Sequence, residues 1–214
     1  MSVTLYFFQP LGTNSGRVFQ ALLEKGVDFV EHELSGRNFD HLQPDYLALN
    51  PKGQVPTLVH DAAVLTEGML INEYIDERFD GPPLRPADPR ARWTMRNWCR
   101  WAENDLGRCL MMINWNRVVP SFAGDRSPEE MKSFIATRVP DPDRRRAWLN
   151  AFEQTTPPER IAESRRRVTA GAQRVEAHLR EHRFVAGDSF SLADIDLLNF
   201  CSFVIDWMPE LVSA

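Results

Sequence analysis

Residues 50–58 constrain the fold of this chain more than any other part of its sequence. They read NPKGQVPTL, and Leu65, Thr66 and Glu67 follow shortly after. Proline cannot donate a hydrogen bond within a sheet, so Pro56 belongs at a sheet edge or in a special turn. An X-Pro bond is also the usual setting for a cis peptide. We therefore expect a cis Val55-Pro56 bond that points the N–H and C=O of Val55 sideways, where an extended ligand could pair with them.

The first 80 residues alternate strand and helix signals. Strand patterns cover residues 3–8, 29–34, 57–60 and 63–66, and helix patterns cover residues 16–25, 41–49 and 67–79. Residues 12–15 read as a turn between the first strand and the first helix. This order predicts an α/β unit with a mixed four-stranded sheet, β-α-β-α-β-β-α, and helices on its faces.

The rest of the chain reads as helical after a proline-rich segment. We predict a first domain over residues 1–80, a linker over residues 81–89 and an all-α domain over residues 90–214. A long helix is expected over residues 90–115. Six of its residues recur at spacings of three and four and are therefore expected to share one face: Trp98, Trp101, Asp105, Arg108, Met112 and Trp115. Ser191 and Asp194 form a predicted capping box at the start of another helix.

Composition excludes several classes of function. The net charge of −5 argues against nucleic acid or an anionic membrane as the main partner. No apolar run reaches the roughly 20 residues that a membrane helix needs, and no secretory signal is visible, so we expect a cytoplasmic location. The three cysteines are scattered, as expected of reduced thiols. No cluster of His and Cys has metal spacing; the pair His178 and His182 reads as a solvated helix end, so we expect no metal.

The combination of these features resembles the glutathione transferase family. Residues 50–56, the pair Thr66 and Glu67, and the sequence SLAD at residues 191–194 carry the resemblance. It implies a thioredoxin-like first domain, an all-helical bundle as the second domain, glutathione as co-substrate and a homodimer. Within the family, the chain looks most like bacterial β-aryl etherases, which cleave lignin-derived dimers.

The resemblance also implies how glutathione would be held. The backbone of Val55 would pair with the cysteinyl part, and Glu67 would hold the γ-glutamyl ammonium. Lys52 sits where a basic or amide residue often meets the glycyl carboxylate, although it also reads as a surface lysine. Gly68 stands where members usually carry serine, so a hydroxyl for the γ-glutamyl carboxylate is missing and only the helix N-terminal N–H remains. The full predicted glutathione set is Lys52, Gln54, Val55, Pro56, Glu67 and Gly68.

The chemistry requires a thiolate, because a free thiol with a pKa near 8.5 is only slightly ionised at neutral pH. A donor at the start of the first helix would lower that pKa, helped by the helix dipole. Ser15 is the first candidate, since family members with serine place it at the opening of this helix, and Asn14 is the second. Either side chain could instead serve only as a helix cap.

The second substrate would be a small hydrophobic aromatic electrophile in a dry pocket beside the sulfur. The predicted pocket residues are Gln9, Arg108, Met111, Met112 and Trp115, and core packing is the alternative for the two methionines. Attack by the thiolate would displace a phenoxide from an aryl ether. Two other functions stay open: a glutathione-dependent peroxidase or thiol reductase, and a non-catalytic protein that binds glutathione or hydrophobic ligands.

Overall fold

The computed structural model describes residues 2–8 and 13–211. Its sheet has four strands: β1 (Val3–Phe8), β2 (Val30–Leu34), β3 (Thr57–His60) and β4 (Ala63–Thr66). The strand order is β2-β1-β3-β4, with β1 parallel to β2 and both other pairs antiparallel. The mixed four-stranded sheet predicted from the sequence is therefore confirmed.

Three helices accompany the sheet: α1 (Thr13–Glu24), α2 (Pro44–Leu49) and α3 (Gly68–Arg78). A short 3-10 turn, Asp40–Leu42, precedes α2. Alternate residues of β1 are buried and join the core that lies under α1 and α3, as expected for a strand with one face on the core. Gly26, with φ +66°, ends α1 in the left-handed conformation that favours glycine.

The remainder is helical, as predicted. Helix α4 (Pro89–Trp101) continues through a π-helical segment, Ala102–Gly107, into α5 (Arg108–Val118). The later helices are α6 (Pro128–Arg138), α7 (Pro142–Phe152), α8 (Pro158–Leu179) and α9 (Leu192–Trp207), with 3-10 turns at Val119–Ala123 and Pro209–Leu211. None of the described helices is long and apolar enough to cross a membrane.

The predicted single face of the long helix is wrong. Trp101 and Asp105 line a small cavity against α8, where Arg167 Nη2 donates to Asp105 Oδ1 at 3.0 Å. Arg108 and Met112 instead line a separate, larger cleft. The π-helical segment between them has more residues per turn than an α-helix, so it rotates the faces before and after it relative to each other.

The connection between the two parts of the fold is anchored at several points. The Leu192 N–H donates to the carbonyl of Leu84 at 2.9 Å, and Arg85 Nε donates to Asp76 Oδ2 at 2.8 Å. At the start of α9, the Ser191 N–H donates to the Asp194 carboxylate at 2.9 Å, and the predicted capping box is present. The boundaries at residues 80 and 89 stay a prediction.

Candidate active site

Buried hydrogen bonds hold the turn at residues 50–57. The Tyr46 hydroxyl donates to the carbonyl of Gln54 at 2.5 Å and lies 2.8 Å from Thr57 Oγ1. Asn50 Nδ2 donates to the same two oxygens, at 2.8 and 3.1 Å. Burial raises the pKa of Tyr46 to about 12, so its hydroxyl stays a donor at neutral pH. The backbone around Gln54 is thus fixed before any ligand binds.

The Val55-Pro56 peptide bond is cis, as predicted. The N–H and C=O of Val55 form no hydrogen bond with any residue within 2–8 or 13–211. An extended ligand that lies along Val55 could therefore pair with both groups, as an added strand does.

The residue just before α3 has an unusual backbone. Glu67 has φ 68° and ψ 100°, a conformation that costs a non-glycine residue about 1–3 kcal/mol and that is concentrated at functional sites. Its carboxylate accepts from Lys52 Nζ at 2.5 Å, and this hydrogen bond raises the pKa of Lys52. Two of the six residues that the sequence analysis assigned to glutathione, Lys52 and Glu67, therefore contact each other.

A buried arginine lies against the first residue of α3. An ideal Cβ placed on Gly68 would lie 2.6 Å from Arg17 Nε and 2.8 Å from Arg17 Nη2. Arg17 is 1% exposed; its Nη2 donates to Glu103 Oε2 at 2.8 Å and its Nη1 to Asp196 Oδ2 at 3.3 Å. A serine at position 68 would collide with this guanidinium.

Burial and ion pairing shift the pKa values of Arg17 and Asp196. Burial lowers the pKa of Arg17, but the carboxylates of Asp196 and Glu103 raise it more, so the guanidinium stays charged. Burial raises the pKa of Asp196 to about 6, although Arg17 acts in the opposite direction. The sequence analysis missed Arg17. Two signals could have found it: a charged residue beside the apolar Val18 and Phe19, and the absent serine at position 68.

Beside this group lies a cleft of about 500 Å³. The first part of the chain contributes Asn14 and Gln54. Helix α5 contributes the four predicted pocket residues Arg108, Met111, Met112 and Trp115. Further charged groups on the wall are Glu103, Asp143, Arg146 and Arg160. The methionines therefore face the cleft and do not serve packing alone, whereas Gln9 lies outside the described residues.

Ser15 and Asn14 differ in position. Helix α1 begins at Thr13, so the expectation that residues up to Ser15 form a turn and that Ser15 opens the helix is wrong. Residues that favour caps are tolerated in the first helical turn, because their N–H groups need no partner within the helix. Ser15 is 2% exposed and does not line the cleft, whereas the half-buried Asn14 does.

The cysteines are poor nucleophiles in this fold. Cys99 and Cys109 are buried and Cys201 is half-buried, and burial raises the pKa of each thiol. At neutral pH they stay protonated, and only a thiolate attacks efficiently. None of the three lines the cleft.

Comparison with known proteins agrees with this arrangement. The model of the glutathione S-transferase N-terminal domain matches residues 13–78, and that of the C-terminal domain matches residues 111–214. Protein LigF of Sphingobium sp. strain SYK-6 is 34% identical over 207 residues, which cover 96% of this chain and 78% of LigF. The crystal structure of LigF, described as a beta-etherase, superposes with a TM-score of 0.90 at 33% identity, covering 96% of this chain and 84% of that one.

Two more distant relatives belong to the same family. Glutathione S-transferase 3 of Zea mays is 31% identical over 187 residues, 86% of this chain and 71% of the maize protein. A theta-class glutathione S-transferase from Xanthomonas axonopodis pv. citri, solved with glutathione bound, gives a TM-score of 0.69 at 25% identity, covering 97% of this chain and 83% of that one. The chain belongs to the glutathione S-transferase family, and it is an enzyme whose co-substrate is glutathione.

Proposed function

We propose that this enzyme cleaves aryl ethers by attack of the glutathione thiolate, with small aromatic compounds such as lignin-derived β-aryl ether dimers as substrates. The observation that carries the proposal is the cleft, in which Asn14 faces a wall formed by Met111, Met112 and Trp115. Similarity to a beta-etherase over 96% of the chain supports the choice of substrate class.

Glutathione is proposed to lie along the turn at residues 50–57 and the start of α3. The free backbone groups of Val55 pair with its cysteinyl part, beside Gln54 and Pro56. Glu67 binds the γ-glutamyl ammonium, Gly68 offers its N–H, and Lys52 binds the glycyl carboxylate. This requires the contact between Lys52 and Glu67 to open, which costs little because the two side chains are 64% and 43% exposed.

The thiolate is proposed to form at the N-terminus of α1. Asn14 is its first candidate donor, because its side chain faces the cleft, and Ser15 is the second. The N–H groups of the first turn, which have no partner within the helix, and the helix dipole add to the stabilisation. Lowering the thiol pKa by about two units requires about 2.7 kcal/mol, which a donor and a helix N-terminus together can supply.

In the displacement step the sulfur donates an electron pair to a carbon atom, and the leaving oxygen takes an electron pair from the same carbon. The sulfur forms a bond to the carbon that bears the aryloxy group, and the carbon–oxygen bond breaks with its electron pair going to the phenoxide. The proton of the thiol has already left to solvent. Arg108, Arg146 and Arg160 on the cleft wall are proposed to stabilise the departing phenoxide, because positive charges lower the free energy of an anion that forms in the transition state.

We also propose a homodimer in a cytoplasmic location. Leu70 on α3 and Trp93 on α4 are 59% and 66% exposed. The Arg96 guanidinium donates to both carboxylate oxygens of Glu73 at 2.7 and 2.6 Å, which ties the two helices together one turn beyond these residues. Trp93→Glu should convert the dimer to a monomer in light scattering. An unchanged dimer mass in that variant would place the interface elsewhere.

The reaction is tested with a fluorogenic β-aryl ether that releases a fluorescent phenol. Release that requires glutathione would support thiolate displacement. Arg167→Gln, outside the cleft, serves as the control for Arg108→Gln, which should slow release. Absence of release at millimolar glutathione would remove aryl ethers as the substrate class and leave the family assignment unchanged.

A further inference from the structure

We propose that the aryl group released from the substrate carries a carboxylate para to the ether oxygen, and that Arg160 and Asn150 bind this carboxylate. The proposal rests on the proposed cleavage of aryl ethers and names the substrates within that class. It is carried by the charges on the cleft wall: Arg108, Arg146 and Arg160 all line the cleft, whereas the phenoxide that leaves has one negative charge.

Two of these guanidinium groups have no carboxylate partner. The carboxylates on the wall, those of Glu103 and Asp143, are paired with other arginines at 2.8 and 3.8 Å. Within the described part of the chain, the Arg108 side chain donates only to Asn104 Oδ1, and the Arg160 guanidinium forms neither a hydrogen bond nor an ion pair. One of these two cations is enough for the phenoxide, so the other is available to a second anionic group.

The fold itself gives no reason for a cation at position 160. Arg160 lies in the first turn of α8, where the helix dipole disfavours a positive charge. The acid one turn later, Glu163, accepts from Arg166 Nη2 at 2.6 Å instead. A ligand anion would account for the charge at this position. The alternative is a solvated arginine that contacts no ligand.

The packing of α8 determines where Arg160 enters the cleft. Arg167 Nη2 donates to Asp105 Oδ1 at 3.0 Å, and an ideal Cβ on Gly171, one turn later, lies 3.3 Å from the Trp101 ring. Helix α8 therefore runs antiparallel to the long helix. Arg160 precedes Arg167 by about two turns, so it lies about 10 Å beyond Asp105, beside the second half of α5.

The proposed thiolate lies at the other end of the cleft. Arg17 Nη2 donates to Glu103, and Asn14 precedes Arg17 by about one turn of α1, so Asn14 enters the cleft near Glu103. An ether oxygen on the carbon under attack is therefore nearest to Arg108. The para position of its ring points directly away from that oxygen, along the apolar side chains of α5 towards Arg160.

Asn150 supplies a second donor at this end. Thr155 Oγ1 donates to Asn150 Oδ1 at 3.4 Å, and no described residue accepts from Asn150 Nδ2. Asn150 lies near the end of α7 and Arg160 near the start of α8, and both line the cleft. A carboxylate accepts at both oxygens, so it can bind the guanidinium and the amide N–H together, whereas a neutral amide binds the cation more weakly.

The test compares two β-aryl ethers that differ only in the para substituent of the leaving phenol, a carboxylate or a primary carboxamide. Glutathione-dependent release of each phenol gives a ratio of two kcat/KM values, and differences in intrinsic reactivity cancel when this ratio is compared between proteins. The carboxylate-to-carboxamide ratio should fall about tenfold in Arg160→Gln, as expected for the loss of a hydrogen bond between charged groups. Arg166→Gln is the matched control, because Arg166 is exposed on the same helix and does not line the cleft.

Charge reversal and direct binding provide two further measurements. Arg160→Glu should prefer an ether with a positively charged para aminomethyl group over the carboxylate, a reversal that structural damage does not produce. Calorimetry measures the site without turnover: para-hydroxybenzoate should bind the glutathione-loaded wild-type protein about tenfold more tightly than para-hydroxybenzamide. Arg160→Gln should remove this difference. Thermal unfolding of each variant verifies that it is folded.

The outcomes distinguish this proposal from the proposed function. If both ethers release phenol and Arg160→Gln keeps the wild-type ratio, or slows both ethers equally, Arg160 does not bind a carboxylate and aryl ether cleavage stands. If neither ether releases phenol but para-hydroxybenzoate binds preferentially through Arg160, the carboxylate site stands and the proposed reaction fails. If neither ether reacts and neither phenol binds, both proposals fail.

Discussion

Asn14 and Ser15 are neighbours on the first turn of α1, but they reach different surroundings. Asn14 lines the cleft, whereas Ser15 is buried and does not. A donor stabilises a thiolate only within hydrogen-bond distance of the sulfur. Position therefore favours the amide of Asn14, although serine is the residue that related proteins would suggest.

This difference predicts opposite results for two variants. Asn14→Ala should raise the pKa of the bound glutathione thiol by about one unit, since it removes a hydrogen bond to an anion. Phenol release at neutral pH should slow, while glutathione affinity should change little. Ser15→Ala should keep the wild-type pKa. Ultraviolet absorbance of the thiolate as a function of pH measures both values.

The reverse pattern would identify Ser15 as the donor. A raised pKa in Ser15→Ala, with the wild-type pKa in Asn14→Ala, would mean that the serine hydroxyl reaches the sulfur in the complex. An unchanged pKa in both variants would leave the helix N–H groups as the source of stabilisation.

At the scale of elements, the turn at residues 50–57 depends on Tyr46 of α2. Tyr46→Phe removes the donor to the Gln54 carbonyl, but Asn50 still donates to that oxygen. We expect a loss of about 1 kcal/mol in the free energy of unfolding, typical of one hydrogen bond. Glutathione binding should also weaken by several-fold, because the turn becomes less rigid.

Tyr74→Phe provides a matched comparison. The Tyr74 hydroxyl lies 2.7 Å from His60 Nδ1, away from the turn and the cleft. It should lower stability by a similar amount and leave glutathione binding unchanged. Equal loss of affinity in both variants would mean that the effect comes from general destabilisation and not from the turn. Chemical denaturation and calorimetry supply the two measurements.

Local sequence patterns predicted the elements that local forces determine. The bounds of β3 and β4 agree with the prediction, because a turn and a helix start confine short apolar segments between them. The capping box at Ser191 follows from residues three apart. The π-helical segment 102–107 has no comparable local signal. The helical spacing therefore predicted a single face for the long helix, where the structure has two.

Only those parts of the site whose residues lie close together in the sequence could be predicted. The cis peptide before Pro56 and the cleft residues of α5 follow from motifs and helical spacing. The role of Arg17 could not be predicted in this way, because its partner Asp196 lies 179 positions away in the sequence. Neither residue belongs to a local pattern that indicates the other. Such contacts are set by tertiary packing, which periodicity does not encode.

At the scale of the whole molecule, polar side chains join the helical part to the turn at residues 50–57. Arg144 Nη1 donates to the carbonyls of Lys52 and Gly53 at 3.2 and 2.7 Å. The Arg144 guanidinium lies 6.0 Å from the Trp148 ring. His41 packs among Phe8, Phe39 and Trp148. This contact between the two parts of the fold is therefore sensitive to the charge on His41.

Acid should weaken the folded state through His41. Burial lowers its pKa to about 3 from an ordinary value of 6.5, and Arg144 acts in the same direction. Between these values the unfolded chain binds a proton that the folded chain does not, so stability is retained above pH 6.5 and falls as the pH drops towards 3. Between about pH 7.5 and about pH 4.5, His41 alone should remove about 2–3 kcal/mol.

His41→Phe tests this linkage, since phenylalanine suits an aromatic cluster and does not titrate. Chemical denaturation at both pH values should show a smaller loss of stability than in the wild-type protein, by the amount assigned to His41. His32→Phe, at an exposed position on β2, should keep the wild-type loss. If both variants lose as much stability as the wild-type protein, the acid sensitivity lies in the buried carboxylates. The cluster around Trp148 would then join the two parts of the molecule independently of pH.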